Sequence, residues 1–410
     1  MPAASFHRHR SACFAILLIC PTLHEVMSSN SAFQNANTAK AFSKANREFM
    51  LSLLKQLPSK SNVFFSPFSI STALAMVHLG AGAETLEEMN QVLHFGTLGN
   101  DIYSAYGTYL RYLSAAAENN TLETANRIYK SMRFTAEISF LQRCRKYFNA
   151  TVESMDFAKS QMSRRKMNSW VSQQTHKKIQ NLIPAGALNR QTLMVLVNAI
   201  YFKGSWNSKF KSEHTTKMEF RNGKARFMTD MMYQKGYFEI CHVSGLKFDI
   251  LELPYEGKSI SMFILLPTDV NGLETVEKSL TETVIRNAPK CLRKKEVKVY
   301  LPKFKLESAF QLKPHLSAMG MPSAFDPIRA NFSGIYKYQD VYISEVFHKA
   351  FVEVNEEGTE AAAATGVVFT YESVQIPLEF RADHPFLFFI SDNVNDVILF
   401  AGRFNDPVSV

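Results

Sequence analysis

Several groupings in this 410-residue chain could do chemistry, but each lacks a part that the chemistry needs. Gly257-Lys258-Ser259 has the closing residues of a phosphate loop. Glu252 stands where its first glycine must be, so the cradle of backbone N–H donors is missing and a turn is the plainer reading. Gly80-Ala81-Gly82 lacks the third glycine of a dinucleotide fingerprint and follows a helical pattern rather than a strand. There is no GxSxG elbow and no HExxH zinc pair. Of the eleven histidines, His348 lies between Phe347 and Phe351, where a lone histidine is ordinarily a hydrogen-bonded core group. Cys13 and Cys20 fall in an apolar N-terminal segment, leaving Cys144, Cys241 and Cys291. That odd count cannot be a complete disulfide framework and its spacing matches no metal motif, so structural thiols are expected. The expectation is therefore no cofactor, no metal and no enzyme.

Charge narrows the partners. The formal charge is +9, and no block is basic enough to read as a nucleic-acid arm. Lys290, Arg293, Lys294, Lys295 and Lys298 crowd together, and Arg164, Arg165 and Lys166 form a smaller run. Either could pair with a sulfated polysaccharide, although a solvated face is the plainer reading. At the N-terminus, His7, Arg8, His9 and Arg10 precede an apolar core from Ala12 to Leu23. That is the length of a signal-peptide core and too short to span a bilayer. Residues 1–29 are expected to be a signal peptide and the chain to be secreted, with no membrane association. No small-x-small triplet marks the cleavage site before Ser28 and Ser29, and initiation at Met27 would instead give a cytosolic protein. In a secreted chain the sequons at Asn119, Asn149 and Asn331 would be usable acceptors.

The least ordinary stretch is EVNEEGTEAAAATGVVFTYESVQIPLEFRADH, Glu353 to His384. At period two, Thr359, Ala361, Ala363, Thr365, Val367 and Phe369 share one face, and Glu360, Ala362, Ala364, Gly366, Val368 and Thr370 share the other. The first face suits burial in a sheet. Alanine, however, is the best helix former and a poor strand former. Such a segment is either an Ala-rich linker or a loop that becomes a strand only when something releases it.

The elements around it read as α+β. Phe42, Ala45, Phe49, Leu53 and Leu54 give a helix over 38–57, and Pro67 with Gly80 and Gly82 brackets one over 69–79. Thr85 and Glu88 have the spacing of a capping box for a helix over 86–93. Residues 101–117 and 168–183 read as further helices, and 311–319 as another before Gly320. Strands are expected over 122–129 and 150–155. Thr192 to Phe210 is apolar enough for a strand buried on both faces, and short strands dominate thereafter, ending with two joined near Asn393. No linker or internal repeat divides the chain, so one domain over 30–410 is expected.

EEGTEAAAAT, Glu356 to Thr365, resembles the reactive-loop hinge of inhibitory serpins. The blocks Asn62–Leu93, NSWVSQQTHKKIQNLIP and Thr192–Phe210 are similar to other serpin strings, so the resemblance spans nearly all of the mature chain. It implies helices packed around a large central sheet with two further sheets and an exposed loop at about 356–382. It also implies a monomer that a serine protease cleaves and is then trapped by as an acyl-enzyme when the loop inserts as an extra strand. The implied hinge is Glu356, Glu357, Gly358, Thr359, Glu360, Ala361, Ala362, Ala363, Ala364 and Thr365. Within it Gly358 allows the bend, Thr359 leaves the sheet edge first, and Ala361 to Ala364 slide in without resistance. Ser66, Ser69, Asn198 and His348 are implied to form a buried cluster that governs sheet opening. Counted from Glu356, the scissile bond falls at Glu372-Ser373, with Tyr371 the alternative in a shifted register. An acidic residue there suits a basic primary pocket, and Tyr371 suits chymotrypsin-like enzymes. The helix that binds heparin in several serpins corresponds to 101–117, where Arg111 is the only basic residue. The loop resembles tick salivary serpins. A non-inhibitory serpin, carrying a ligand or acting as a chaperone, is the alternative.

Overall fold

The computed structural model describes residues 31–115, 120–338, 341–359 and 377–407, and Ala32–Val410 cluster as one compact unit. Helix α1 (Ala36–Leu54) begins where the Asn35 side chain accepts from the Asn37 and Thr38 N–H groups. Its Phe42, Ala45, Phe49 and Leu53 recur every three or four residues and are buried. Helix α2 (Pro67–His78) starts at Ser66, whose hydroxyl caps the Ser69 N–H with Pro67 at the first helical position. Every residue of α2 is buried, which is why its sequence is apolar all round. Helices α3 (Ala83–Val92), α4 (Ile102–Ala115), α5 (Ile138–Phe148) and α6 (Ser160–Gln174) follow. The last three are α7 (Leu273–Ser279), α8 (Glu282–Cys291) and α9 (Lys313–Met319), which Gly320 ends at φ 117°.

The strands in chain order are β1 (Val63–Phe65), β2 (Asn120–Ser131), β3 (Val152–Met155), β4 (Met194–Ser205), β5 (Thr216–Asn222), β6 (Ala225–Val243), β7 (Phe248–Pro254) and β8 (Ile260–Pro267). After them come β9 (Arg293–Pro302), β10 (Phe304–Gln311), β11 (Ile343–Val354), β12 (Gly358–Thr359), β13 (Leu378–Arg381), β14 (Phe386–Asp392) and β15 (Val397–Phe404). A six-stranded sheet runs β10-β11-β4-β2-β3, with β12 paired to β4. The remaining nine strands hydrogen-bond as one network because the long β6 runs through both of its halves.

In the six-stranded sheet, β4 is buried on both faces. Met194, Leu196, Ile200 and Phe202 join the main core, while Val195, Val197, Ala199 and Tyr201 pack with Met167 and Val171 of α6. That double burial explains the continuous apolar run of the sequence.

Four details differ from the sequence reading. Helix α3 starts at Gly82 with no side-chain cap. Thr85 Oγ1 instead accepts from the Asn331 N–H at 3.0 Å, and a Glu88 carboxylate oxygen from the Ser323 N–H at 2.9 Å. The capping-box residues are spent on a distant loop. The helix across the sheet is 160–174 rather than 168–183, because Thr175 Oγ1 takes the Ile179 N–H and His176, Lys177 and Asn181 have positive φ. Helix α5 lies in a stretch that the periodicity reading passed over. Finally, Cys241 and Cys291 are not thiols but a disulfide with Cα atoms 5.7 Å apart. Only Cys144 is free among the described residues, and burial pushes its thiol up to about 12.

Candidate sheet-opening seam and loop hinge

In the six-stranded sheet, β4 and β11 are parallel neighbours, in one register from Val195/Glu345 to Tyr201/Phe351 after a shift that follows Met194/Ile343, whereas β4 is antiparallel to β2. A parallel pair is the slightly weaker kind of pairing. In the middle of it His348 stands opposite Asn198, and Asn198 opposite Asn126 of β2. Inward-facing positions there meet the start of α2.

These side chains form one polar chain across three strands. The Ser66 N–H donates to His348 Nε2 at 3.2 Å, which requires Nε2 to be unprotonated. His348 Nδ1 then donates to Asn198 Oδ1. The Asn198 amide donates to the Ser69 carbonyl at 3.0 Å, and also to Ser69 Oγ and Asn126 Oδ1. Ser69 Oγ reaches Asn126 Oδ1 at 3.3 Å, and Ser66 Oγ donates to the Leu399 carbonyl at 2.5 Å. Ser66, Ser69, Asn198 and His348 are all fully buried, so each polar atom needs its partner. Phe310 of β10 stacks parallel to the His348 ring at 6.3 Å. Burial holds the imidazole down to about 3, consistent with the neutral tautomer that its two partners require. The four residues expected to act together are thus together, and Asn126 is a fifth that sequence reasoning missed. An Asn in the middle of an otherwise ordinary strand had no local signal, and only the β2–β4 register brings it in.

Beyond the top of β11 the chain reverses. The Asn355 N–H donates to the Gly358 carbonyl at 2.9 Å, and Asn355 Oδ1 accepts from the Glu357 and Gly358 N–H groups at 3.0 and 3.3 Å. Gly358 has φ 138°, and a Cβ on it would lie 2.3 Å from the Gly204 carbonyl oxygen, so only glycine fits. The reversed chain enters as β12, antiparallel to β4, with Gly358 opposite Ser205 and Thr359 opposite Gly204.

The turn is anchored by Trp206, whose backbone N–H donates to the Glu357 carbonyl at 2.9 Å and whose indole donates to the Asn355 carbonyl at 3.0 Å. Tyr255 stacks on that indole at 4.5 Å. Glu356 accepts from Thr215 Oγ1 at 2.7 Å and pairs with Lys303 at 2.9 Å, and Glu357 pairs with Lys209 at 3.0 Å. Burial works against the Glu356 carboxylate, but the Lys303 and Thr215 hydrogen bonds prevail and hold it below the usual range.

Glu360, Ala361, Ala362, Ala363, Ala364, Thr365, Tyr371, Glu372, Ser373 and Asn119 lie outside the described residues. Asn149 is exposed in the left-handed position that ends α5. Asn331 is half-buried, with its N–H, carbonyl and Oδ1 all engaged by Thr85, Gly82 and Ser333.

The basic run near 290 is not one patch. Strand alternation puts Lys294 and Lys298 on a face shared with Glu239, Glu296 and Glu379, and Lys298 pairs with Glu379 at 3.3 Å. Arg293 and Lys295 point to the other face, and Arg293 is turned onto the Lys290 and Leu292 carbonyls. In the smaller run, Lys166 is paired with Glu153 at 2.5 Å and Arg164 bonds Gln161 and the Ile183 carbonyl.

Residues 44–407 match the family model described as Serpin (serine protease inhibitor). The chain is 40% identical over 373 residues to Serpin B8 of Bos taurus, covering 90% of this chain and 100% of that protein. It is 41% identical over 376 residues to the leukocyte elastase inhibitor of Homo sapiens, covering 89% and 99%. Among solved structures, uncleaved ovalbumin is similar at TM-score 0.81 and 33% identity, covering 90% of this chain and 100% of that one.

Proposed function

The chain belongs to the serpin (serine protease inhibitor) family and is a protease inhibitor, not an enzyme; on that premise we propose how its own residues carry out the inhibition and where it acts. The observation that carries the reading is β12: two residues of the reversed chain already sit antiparallel against the end of β4, beside the parallel β4/β11 pair.

Continuing that register is simple arithmetic, since paired residue numbers keep the sum of Thr359 and Gly204. Thr365 then falls opposite Asn198, and Phe369 opposite Met194, the first residue of β4. Thr365 would enter between Asn198 and His348, so the hydrogen bond joining them is the latch that insertion must break. Residues directly opposite in an antiparallel pair share a face. Thr359, Ala361, Ala363, Thr365, Val367 and Phe369 therefore turn inward with Asn198, and Ala362, Ala364, Gly366 and Val368 turn toward α6. No charge or proline stands on the inward face. Insertion replaces one parallel interface with two antiparallel ones, adding about ten hydrogen bonds at about 1 kcal/mol each, on the order of 10 kcal/mol. That gain drives the acyl-linked protease to the far end of the sheet.

A scissile bond at Glu372-Ser373, or after Tyr371, lies just past Phe369. The linkage then emerges as β4 ends, which supports either site over one nearer the hinge. The human relative is named for leukocyte elastase, so elastase-like enzymes join enzymes with a basic primary pocket and chymotrypsin-like ones in the panel. A loop of the tick salivary type, expected from the sequence, would add host proteases. Incubation with each enzyme, followed by SDS gels and mass spectrometry of the released fragment, tests the proposal. A covalent complex with a new C-terminus at 371 or 372 is expected. Cleavage without complex across the whole panel would favour the non-inhibitory alternative.

Export is part of the proposal. The signal-like pattern of residues 1–29 and the Cys241–Cys291 disulfide, a bond that persists in oxidising compartments, support it. The chain recovered from culture medium should begin near residue 30 and carry a glycan on Asn149. Recovery only from cytosol with the segment uncleaved would refute it.

A further inference from the structure

Nine large apolar side chains are exposed among the described residues, and four of them, Met132, Ile138, Leu141 and Tyr338, come from two segments that lie against each other. Met132 follows β2, its N–H donating to the Met155 carbonyl at 3.0 Å. Ile138 opens α5 and Leu141 stands one turn on, while Phe140, Cys144 and Phe148 take the packed side of that helix. The second segment is joined to the first by the Glu137 N–H on the Ile335 carbonyl at 2.8 Å. Tyr336 joins them again, its ring 5.4 Å from that of Phe134 and 5.5 Å from that of Tyr338. Single exposed apolar side chains are ordinary, but a group of them marks a contact surface. This group sits where β2 ends and β4 begins, at the end of the six-stranded sheet opposite the hinge.

The charges around it are one-sided. Arg133, Arg190 and Lys337 are exposed and have no carboxylate partner among the described residues. Arg133 donates to Ser131 Oγ at 3.3 Å and to the Gln191 carbonyl at 3.5 Å, next in the chain to Arg190, and the Lys337 ammonium stands 4.8 Å over the Tyr338 ring. Segments 130–141 and 328–338 hold one acid, Glu137; Asp156, beside Met155, is engaged by the Ala158 N–H and by Lys159. A second copy of the chain in a symmetric pair would set these cations against themselves. A bilayer with anionic headgroups takes both halves of the surface, the cations at the phosphates and the apolar tips at the boundary below, where tyrosine is favoured. The sequence expectation of no membrane association missed this surface because no single run along the chain holds it.

We propose that this end of the sheet docks on an anionic lipid bilayer, with Met132, Ile138, Leu141 and Tyr338 entering the interface and Arg133, Arg190 and Lys337 on the headgroups. Docked in this way, the chain holds its hinge and loop on the side away from the lipid. The inserted loop brings Phe369 opposite Met194, at this same end, so the acyl-linked protease and the bilayer compete for one place. That competition rests on the inhibitory reading, and the docking itself does not.

The test sediments the full chain with vesicles of phosphatidylcholine, with and without phosphatidylserine. Binding is expected only with phosphatidylserine and should weaken as salt rises. Arg133→Gln with Lys337→Gln should weaken it about tenfold or more, and Met132→Glu with Ile138→Glu should abolish it. All four positions are exposed, so the urea midpoint should not move. Met228→Glu, at an exposed methionine of β6, should bind as the natural chain does. Equal binding to both vesicles, or natural affinity in either double variant, would overturn the proposal. So would self-association, or binding to polyglutamate, without binding to vesicles. Covalent protease complex formed before mixing should stay off the vesicles. Complex that binds them as well as the free chain would refute the competition and spare both the docking and the inhibitory reading.

Discussion

Thr359→Arg should turn this inhibitor into a substrate. Thr359 is the last residue of β12 and pairs with Gly204, two residues along β4 from the buried Phe202. Phe202 contacts Tyr255 at 4.9 Å and Phe400 at 6.0 Å between ring centroids, so the inward side of this end of β4 is aromatic. An unpaired guanidinium buried there costs about 3–5 kcal/mol. If half of a ~4 kcal/mol cost is felt when insertion begins, that step slows about thirtyfold. Hydrolysis of the acyl-enzyme then wins the competition that insertion otherwise wins. The assay is a titration of a target protease read on SDS gels: the natural chain should end mostly as covalent complex, and the variant almost wholly as cleaved chain with active protease recovered. Glu360→Arg, one residue on and facing the opposite side, should lose far less. Complex formation by Thr359→Arg at the natural yield would refute the inserted register and the mechanism built on it.

Further expectations follow from the same geometry. His348 titrates at about 3 folded against an ordinary 6.5, so the unfolded chain binds the proton first. Its contribution to stability is intact above about pH 6.5 and lost as pH falls toward 3, at about 1.4 kcal/mol per unit or about 2 kcal/mol between pH 7 and 5; urea midpoints of the natural chain and His348→Gln should converge on acidification. Breaking the Cys241–Cys291 bond, which spans 50 residues, should cost about 4 kcal/mol on the loop-entropy model, readable as a lowered urea midpoint in dithiothreitol or in Cys241→Ser. Gly358→Ala would force a Cβ within 2.3 Å of the Gly204 carbonyl, so it should expel β12 from the sheet and raise the rate at which proteases nick the chain near residue 358.

Much of the seam was legible because it sits in strings with strong local signatures. Ser66-Pro67 announces a helix start, and the apolar run around Asn198 announces a doubly buried strand. The hinge was legible through the conflict between its alanine content and its period-two pattern. What escaped was decided by partners distant in the chain. Thr85 and Glu88 have capping-box spacing, yet residues 323–331 compete for their oxygens and win. Cys241 and Cys291 lie at the ends of β6 and α8, and no spacing rule brings two such ends within 5.7 Å. Asn126 joins the seam only because β2 becomes the neighbour of β4, and that is a property of topology.

The most direct test of the account is the thermal midpoint of the chain before and after its loop is cut by a protease that forms no complex. Insertion of residues 359–369 is worth on the order of 10 kcal/mol, and a chain of this length gains roughly 0.8 kcal/mol per kelvin of unfolding entropy. The midpoint should therefore rise by about 10–15 °C on cleavage. An unchanged or lowered midpoint in a chain cut near residue 372 would contradict the claim that this loop is a strand in waiting.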